Sequence, residues 1–168
     1  MQVSVTSDDL NRLARDLRRA GRKDLQKEAL KRMRRKVEPI RPEIQRAVRA
    51  TPGGTEDLRS RKARSARPRR LRDATARGVQ VKASLSGKYA GVRLRVDPRH
   101  FPEGEKHLPK YLEGVLPRWR SPEWGRDKWK QQRPHPYFFV TIRPHIPAVQ
   151  TEVAKIIKET MDELGGGT

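Results

Sequence analysis

Along the first fifty residues apolar side chains recur every three or four positions, the spacing of one helix face. Leu10, Leu13, Ala14 and Leu17 form the first stripe, behind Ser7, Asp8 and Asp9. Ser7 suits an N-cap, because its hydroxyl can accept an orphan amide proton, and the two acids suit the positive end of the helix dipole. Val3 and Val5 alternate with polar residues just before it and predict a short strand. Gly21 ends the segment. A second stripe runs through Leu30, Met33, Val37, Ile40, Ile44 and Val48. Pro39 and Pro42 each remove an amide donor and crowd the preceding turn, so the spacing predicts a break over 37–41 with the stripe continuing beyond it.

Helical periodicity stops at Thr51-Pro52-Gly53-Gly54-Thr55. Behind it, Leu58 to Arg72 holds no acid and many arginines, and like charges this dense repel one another. Residues 55–75 are therefore expected as a basic extended arm. Alternation takes over next: Val79, Val81, Ala83 and Leu85, then Ala90, Val92, Leu94 and Val96. Setting both apolar sets on one face places Leu85 opposite Ala90 and Val81 opposite Leu94. That register leaves Gly87-Lys88 as a two-residue type II′ turn, which wants glycine first. Residues 98–135 show little periodicity and read as a long Trp-containing loop. Tyr137 to Ile142 is apolar on both faces and reads as a buried strand. Pro144 and Pro147 suit the first turn of a last helix, whose stripe is Ile146, Val149, Val153, Ile156, Ile157 and Leu164. The order predicts one α+β domain over residues 1–168: a small antiparallel sheet, with N-terminal helices and a C-terminal helix packed on one side.

Composition narrows the functional classes. Hydrophobic residues make up 33% and charged residues 36%, so the core must be modest. Forty Lys and Arg against twenty Asp and Glu give a net charge of +20, a field that favours a polyanion or an acidic protein surface. There is no cysteine, which excludes disulfides and thiolate zinc sites. The N-terminal residues lack the basic-then-apolar pattern of a signal peptide, and no apolar run reaches membrane-spanning length. A soluble protein made in the cytoplasm is expected.

No catalytic constellation emerges. His100, His107, His135 and His145 show no i, i+4 pair of the kind a helical metal site needs. Glu103, Glu105, Glu113, Glu123 and Asp127 are scattered among arginines, where ion pairing explains them better than acid–base work. Gly53-Gly54 is followed by no Gly-Lys-Ser/Thr, so it is not a phosphate loop. No enzyme, cofactor or metal is expected. The arm residues Arg59, Arg61, Lys62, Arg64, Arg67, Arg69, Arg70 and Arg72 have three readings: a solvated charged segment, sequence-independent contact with DNA phosphates, or docking into an acidic neighbour through bidentate Arg–carboxylate pairs. No aromatic residue interrupts the run, which disfavours base stacking. All three tryptophans, Trp119, Trp124 and Trp129, fall within eleven residues and are interleaved with basic side chains. They read either as interface anchors or as a satellite core over the sheet edge.

Several stretches carry a resemblance: Tyr89-Ala-Gly-Val-Arg-Leu-Arg-Val96, Pro117-Arg-Trp-Arg-Ser-Pro-Glu-Trp-Gly125, Trp129, and Gln131-Gln-Arg-Pro-His-Pro-Tyr-Phe138. Together they resemble the tail-completion (neck) family of long-tailed double-stranded DNA phages, most specifically over residues 117–138. Ser121 stands where that family usually has His, and Glu123-Trp124 replaces a smaller apolar–aromatic pair. The resemblance implies a virion subunit, assembled as a ring of six at the head–tail joint or top of the tail tube. Its implied partners are further copies of itself, the connector stack and tail-tube proteins, with genomic DNA phosphates passing through the lumen. Trp119, Trp124, Trp129, Pro136, Tyr137 and Phe138 would form the interface or loop core. Tail completion, tail terminator and stopper remain open as roles, and a free basic DNA-binding protein is the rival class. An RNA-associated protein of the ribosomal type would share the basic arm but not the Trp segment.

Overall fold

The computed structural model describes residues 7–51, 67–88, 90–101, 106–122 and 129–166, so the strand expected at 3–5 lies outside the described residues. Helices α1 (Ser7–Arg19), α2 (Lys23–Val37) and α3 (Ile40–Ala50) are followed by α4 (Arg67–Gly78), β1 (Val79–Ser84) and β2 (Gly91–Val96). After a 3-10 turn at Pro98–His100 come α5 (Leu108–Glu113), β3 (Trp119–Pro122), β4 (Trp129–Gln132) and α6 (Phe138–Ile142). A second 3-10 turn, Arg143–His145, leads into α7 (Ile146–Gly165). β1 pairs with β2 and β3 with β4, as two separate two-stranded sheets, and the fold class is α+β. The chain divides into two compact units. One comprises Met1–Arg41, Val81–Arg95 and Pro144–Thr168, and the other Pro42–Gln80 and Val96–Arg143.

The first unit is built from the stripes that the sequence displays. Leu10, Leu13, Ala14 and Leu17 of α1 pack with Leu25, Ala29 and Met33 of α2 and with Val153, Ile156 and Ile157 of α7. Leu85 closes this cluster, and Ala83, Ala90 and Val92 lean on it. Each large aliphatic side chain removed from water here contributes roughly 1.5–3 kcal/mol. Gly21, at φ +67°, reverses the chain between α1 and α2, with Arg22 N–H donating to the Leu17 carbonyl at 3.0 Å and Gly21 N–H to that of Arg18 at 3.1 Å. That pair of bonds is the glycine-based helix stop in which orphan carbonyls are satisfied. Along the α2–α7 seam Arg32 bridges Glu159 and, at 3.8 Å, Glu163, while Lys36 meets Glu152 at 2.7 Å. These pairs are part-exposed and screened by water, so they align the helices more than they hold them. The break between α2 and α3 falls at Glu38-Pro39, where the prolines predict it, and Val37, Ile40, Ile44 and Val48 are all buried.

The β1–β2 hairpin keeps the expected register but not the expected turn. Asp97 N–H donates to the Gly78 carbonyl at 2.7 Å, the alignment that also sets Val81 against Leu94. The ladder, however, ends at Ser84 and resumes only at Gly91. Leu85 and Ala90 therefore lie in a wider loop and not in a two-residue turn. The reason is that the Ser84 hydroxyl engages both the amide and the carbonyl of Ser86, and the loop closes one residue later, with Ala90 N–H donating to the Gly87 carbonyl at 3.1 Å. Ser86 N–H turns back to Ser84 Oγ at 3.4 Å, and Gly87 N–H donates to Asn11 Oδ1 on α1 at 2.9 Å. Gly87 does adopt the positive φ that the sequence reading requires, +89°.

The second unit departs further from expectation. Residues 67–78, expected within the extended arm up to Thr75, are helical. Arginine is a good helix former, Pro68 is tolerated in a first turn, and Asp73 relieves the charge density. Burial of Ala74, Thr75 and Ala76 supplies what the arginines alone lack. Gln45 Nε2 donates to the Ala76 carbonyl at 3.0 Å and Arg49 reaches Asp73 at 3.4 Å, tying α4 to α3. Beyond the hairpin, buried Asp97 accepts both the Arg99 amide (3.1 Å) and its guanidinium (2.8 Å), which opens the first 3-10 turn and raises the Arg99 pKa. The stretch expected as a loop over 98–135 holds a 3-10 turn, a short helix and a second hairpin. Tyr137 to Ile142, expected as a buried strand, is the turn of helix α6, with Phe139 and Val140 facing solvent. α7 begins with a proline in its first turn, as expected.

Two substitutions probe this framework. A Cβ at Gly78 would sit 2.9 Å from the Asp97 backbone oxygen, so Gly78→Ala is expected to destabilise by roughly 1–3 kcal/mol in urea unfolding. Gly87 has open space around it but a left-handed φ, so Gly87→Val is expected to cost about 1–2 kcal/mol through backbone strain alone. Acid adds a second test. Asp24 is held at about 2, chiefly by its hydrogen bond to Arg22, and Lys36 lowers the Glu152 pKa. A depressed carboxylate stabilises above its unfolded pKa and loses that contribution as pH falls through its folded value. Stability should therefore decline from about pH 4 towards pH 2, and Lys36→Met should flatten part of that decline.

Candidate functional site

The two features singled out in the sequence fall differently in the structure. Arg59, Arg61, Lys62 and Arg64 lie outside the described residues. Arg67, Arg69, Arg70 and Arg72 fall within the first two turns of α4, so half of the basic run has a defined backbone. Trp124 also lies outside the described residues. Trp119 and Trp129 are strand residues of the β3–β4 hairpin: Trp119 pairs with Gln132, and Trp129 pairs with Pro122. The expected burial of Trp119 and Trp124 concerns side chains outside the described set. Arg120 pairs with Gln131 in the same ladder, and both are exposed.

The hairpin leads through Pro134-His135-Pro136 into α6, and here the structure reveals an organising residue. The Glu113 carboxylate, at the end of α5, accepts the backbone amides of Tyr137, Phe138 and Phe139 at 3.1, 2.9 and 2.8 Å. These are donors that a helix start leaves without intrahelical partners, and a carboxylate also complements the positive end of the turn. The five-residue α6 is too short to persist on its own propensity, so this cap and its packing define it. Around it, His135 N–H donates to the Leu112 carbonyl at 2.8 Å. Gly114, at φ +100°, ends α5, and a Cβ there would meet Pro134 at 3.6 Å. Segments 112–114 and 134–139 are thereby fastened side by side.

The aromatic residues form a ladder from interior to surface. Tyr137 is buried, Phe138 half-buried and Phe139 63% exposed. Their rings meet edge to face, with centroids 6.4 Å apart for Tyr137–Phe138 and 5.7 Å for Phe138–Phe139. Burial, with the nearby Glu113 charge, raises the Tyr137 pKa and keeps the phenol neutral. Val140 is 66% exposed and Val115 67%, and Leu116 is also exposed. Of the expected loop-core residues, Tyr137 and Phe138 join this arrangement, whereas Pro136 is exposed. The sequence marks Glu113 only as an ion-pairing carboxylate and Phe139 and Val140 only as strand residues, and it marks Val115 and Leu116 not at all, whereas Glu113 accepts backbone amides and the four apolar side chains are exposed. Glu113 acts 24 residues away from its partners, so no local pattern marks it. The run Tyr137–Ile142 carries a strand's composition, which hid a surface helix.

Elsewhere in the first unit an open groove of about 550 Å³ lies between α1 and the hairpin loop, lined by Asp8, Asn11, Arg15, Arg18, Ser86 and others. Arg18 donates to Ser86 Oγ at 3.1 Å across it, which is a packing contact. Among the described residues no group of three or more His, Asp or Glu could hold a metal ion, and no helix is long and apolar enough to cross a membrane. No protein-family model, curated protein or solved structure matches this chain.

The Glu113 cap generates its own test. Glu113→Gln keeps the shape but loses the charge, and is expected to cost about 0.5–2 kcal/mol. Glu113→Ala should cost more, since it strands three amides. Amide hydrogen exchange at 137–139 should accelerate in both variants while α7 keeps its protection; unchanged exchange at those amides would show that the carboxylate does not hold α6.

Proposed function

We propose that this chain is a non-enzymatic virion protein, a ring-forming subunit of the head–tail joint or top of the tail tube of a long-tailed phage. The observation that carries the reading is the segment Pro117–Phe138, whose Trp, Pro and aromatic pattern resembles the tail-completion family. What supports it in the structure is where that segment leads: a short hairpin fastened at its base by the Glu113 carboxylate and ending in exposed aromatic and aliphatic side chains. Large apolar side chains held outward on a fixed frame suit a protein that works by contact with other proteins. The net charge of +20 suits a place beside packaged DNA, with electrostatic and sequence-independent contact to phosphates. Self-assembly, connector and tube neighbours, and residence in the virion belong to the same proposal.

A terminator or stopper role in the same joint would use the same surfaces. The charge also favours a rival, a free basic protein that coats DNA. Mass in solution and negative-stain images separate the two. The joint subunit should form closed rings, alone or on addition of connector or tube proteins, and its DNA binding should be weak and lost steeply between 50 and 200 mM salt, as phosphate-only contacts are. Tight DNA binding by a monomer, without rings under any of these conditions, would replace this reading by the rival.

A further inference from the structure

The exposed apolar residues of the second unit are not scattered. Val115 and Leu116 follow directly on Glu113 and Gly114, and the Glu113 carboxylate is bonded to the amide of Phe139, next to Val140. One ion-to-amide clamp thus brings four outward apolar side chains, from positions 24 residues apart, into one neighbourhood. Large exposed apolar groups at a rigid backbone position are costly in water unless something covers them.

The charges around them say what kind of surface that is. Lys110, Arg118, Arg120, Arg133 and Arg143 are all exposed on the same segments. Over the described residues 106–122 and 129–143 the one acid is Glu113, and it is committed to the α6 amides. A like copy presenting this face would bring arginine against arginine. A partner with carboxylates around apolar anchors meets both demands, since Arg forks match carboxylates and rim charges steer encounter.

We propose that Val115, Leu116, Phe139 and Val140, rimmed by Lys110, Arg118, Arg120, Arg133 and Arg143, form a docking surface for an acidic protein segment that carries apolar side chains. None of these residues belongs to the basic run at 59–72. It goes beyond the ring reading, because it specifies the chemistry of a non-identical partner and does not require the ring to form.

The probe is a fluorescein-labelled fourteen-residue peptide made of Glu, Asp, Leu and Phe, with the apolar residues at helical i, i+3, i+4, i+7 spacing. One control keeps every acid and replaces Leu and Phe by Ser; another keeps the apolar residues and replaces acids by Gln. Fluorescence anisotropy with the full chain at 150 mM salt should show at least tenfold tighter binding of the probe than of either control. Phe139→Ser with Val140→Ser, and separately Arg118→Glu with Arg120→Glu, should each weaken it at least tenfold with thermal unfolding unchanged. These positions are exposed, so folding should survive; Val140→Asp alone serves if the double variant does not fold. Equal binding of the Ser control, or no effect of the variants, overturns the proposal in favour of diffuse charge attraction. Concentration-dependent self-association abolished by Val140→Asp makes a second copy the occupant and overturns it too. Displacement of the probe by an equimolar DNA duplex, dependent on the same residues, assigns the face to nucleic acid instead. Ring formation is scored separately by mass, so a monomer that binds the probe leaves this surface standing while the ring reading falls.

Discussion

Packing of α2 against α7 is the contact on which the first unit depends. Met33 and Ala29 of α2 share one buried cluster with Val153, Ile156 and Ile157 of α7, more than a hundred residues away, and α1 and the hairpin pack into the same cluster. In a protein with 33% hydrophobic residues there is little redundancy. The seam is narrow, so it is bordered at once by charge, and the border is arranged by sign: α7 supplies Glu152, Glu159 and Glu163, while α2 supplies Lys36 and Arg32. Acids are outnumbered two to one in this chain, and three of them line this one seam.

Single carboxylates among many bases tie the second unit together as well. Asp73 ties α4 to Arg49, Asp97 clamps Arg99 at the foot of the hairpin, and Glu113 caps α6. In each place a single carboxylate fastens a local turn, and the surrounding arginines are left to the surface. A fold held this way carries its basic charge outward without building it into the core.

Periodicity was enough to read the elements whose burial is one-sided and continuous. The α1 stripe, the proline break within 37–41 and the hairpin register all follow from spacing alone, because each depends on near neighbours or on a strict two-residue alternation. Three features resisted. The hairpin turn widened because the Ser84 side chain takes both the amide and the carbonyl of Ser86, a competition that alternation of apolar and polar residues does not display. Residues 67–75 became helical because Ala74 to Ala76 bury against partners no local charge count reveals. Tyr137–Ile142 looks like an interior strand because an exposed apolar surface and a core strand share a composition. The Trp segment was legible as something unusual, but its frame, set by Glu113, depends on a contact across 24 residues.

That clamp has an evolutionary side. Because Glu113 and the Leu112 carbonyl pin residues 135–139, the intervening stretch from Gly114 to Pro134 starts and finishes at nearly one place. Closing a longer loop between fixed ends adds only about 0.6 kcal/mol for each doubling of its length. Residues could be inserted, deleted or exchanged there with little strain on α5 or α6. The excursion can thus change in length and composition while the frame beneath it stays constant.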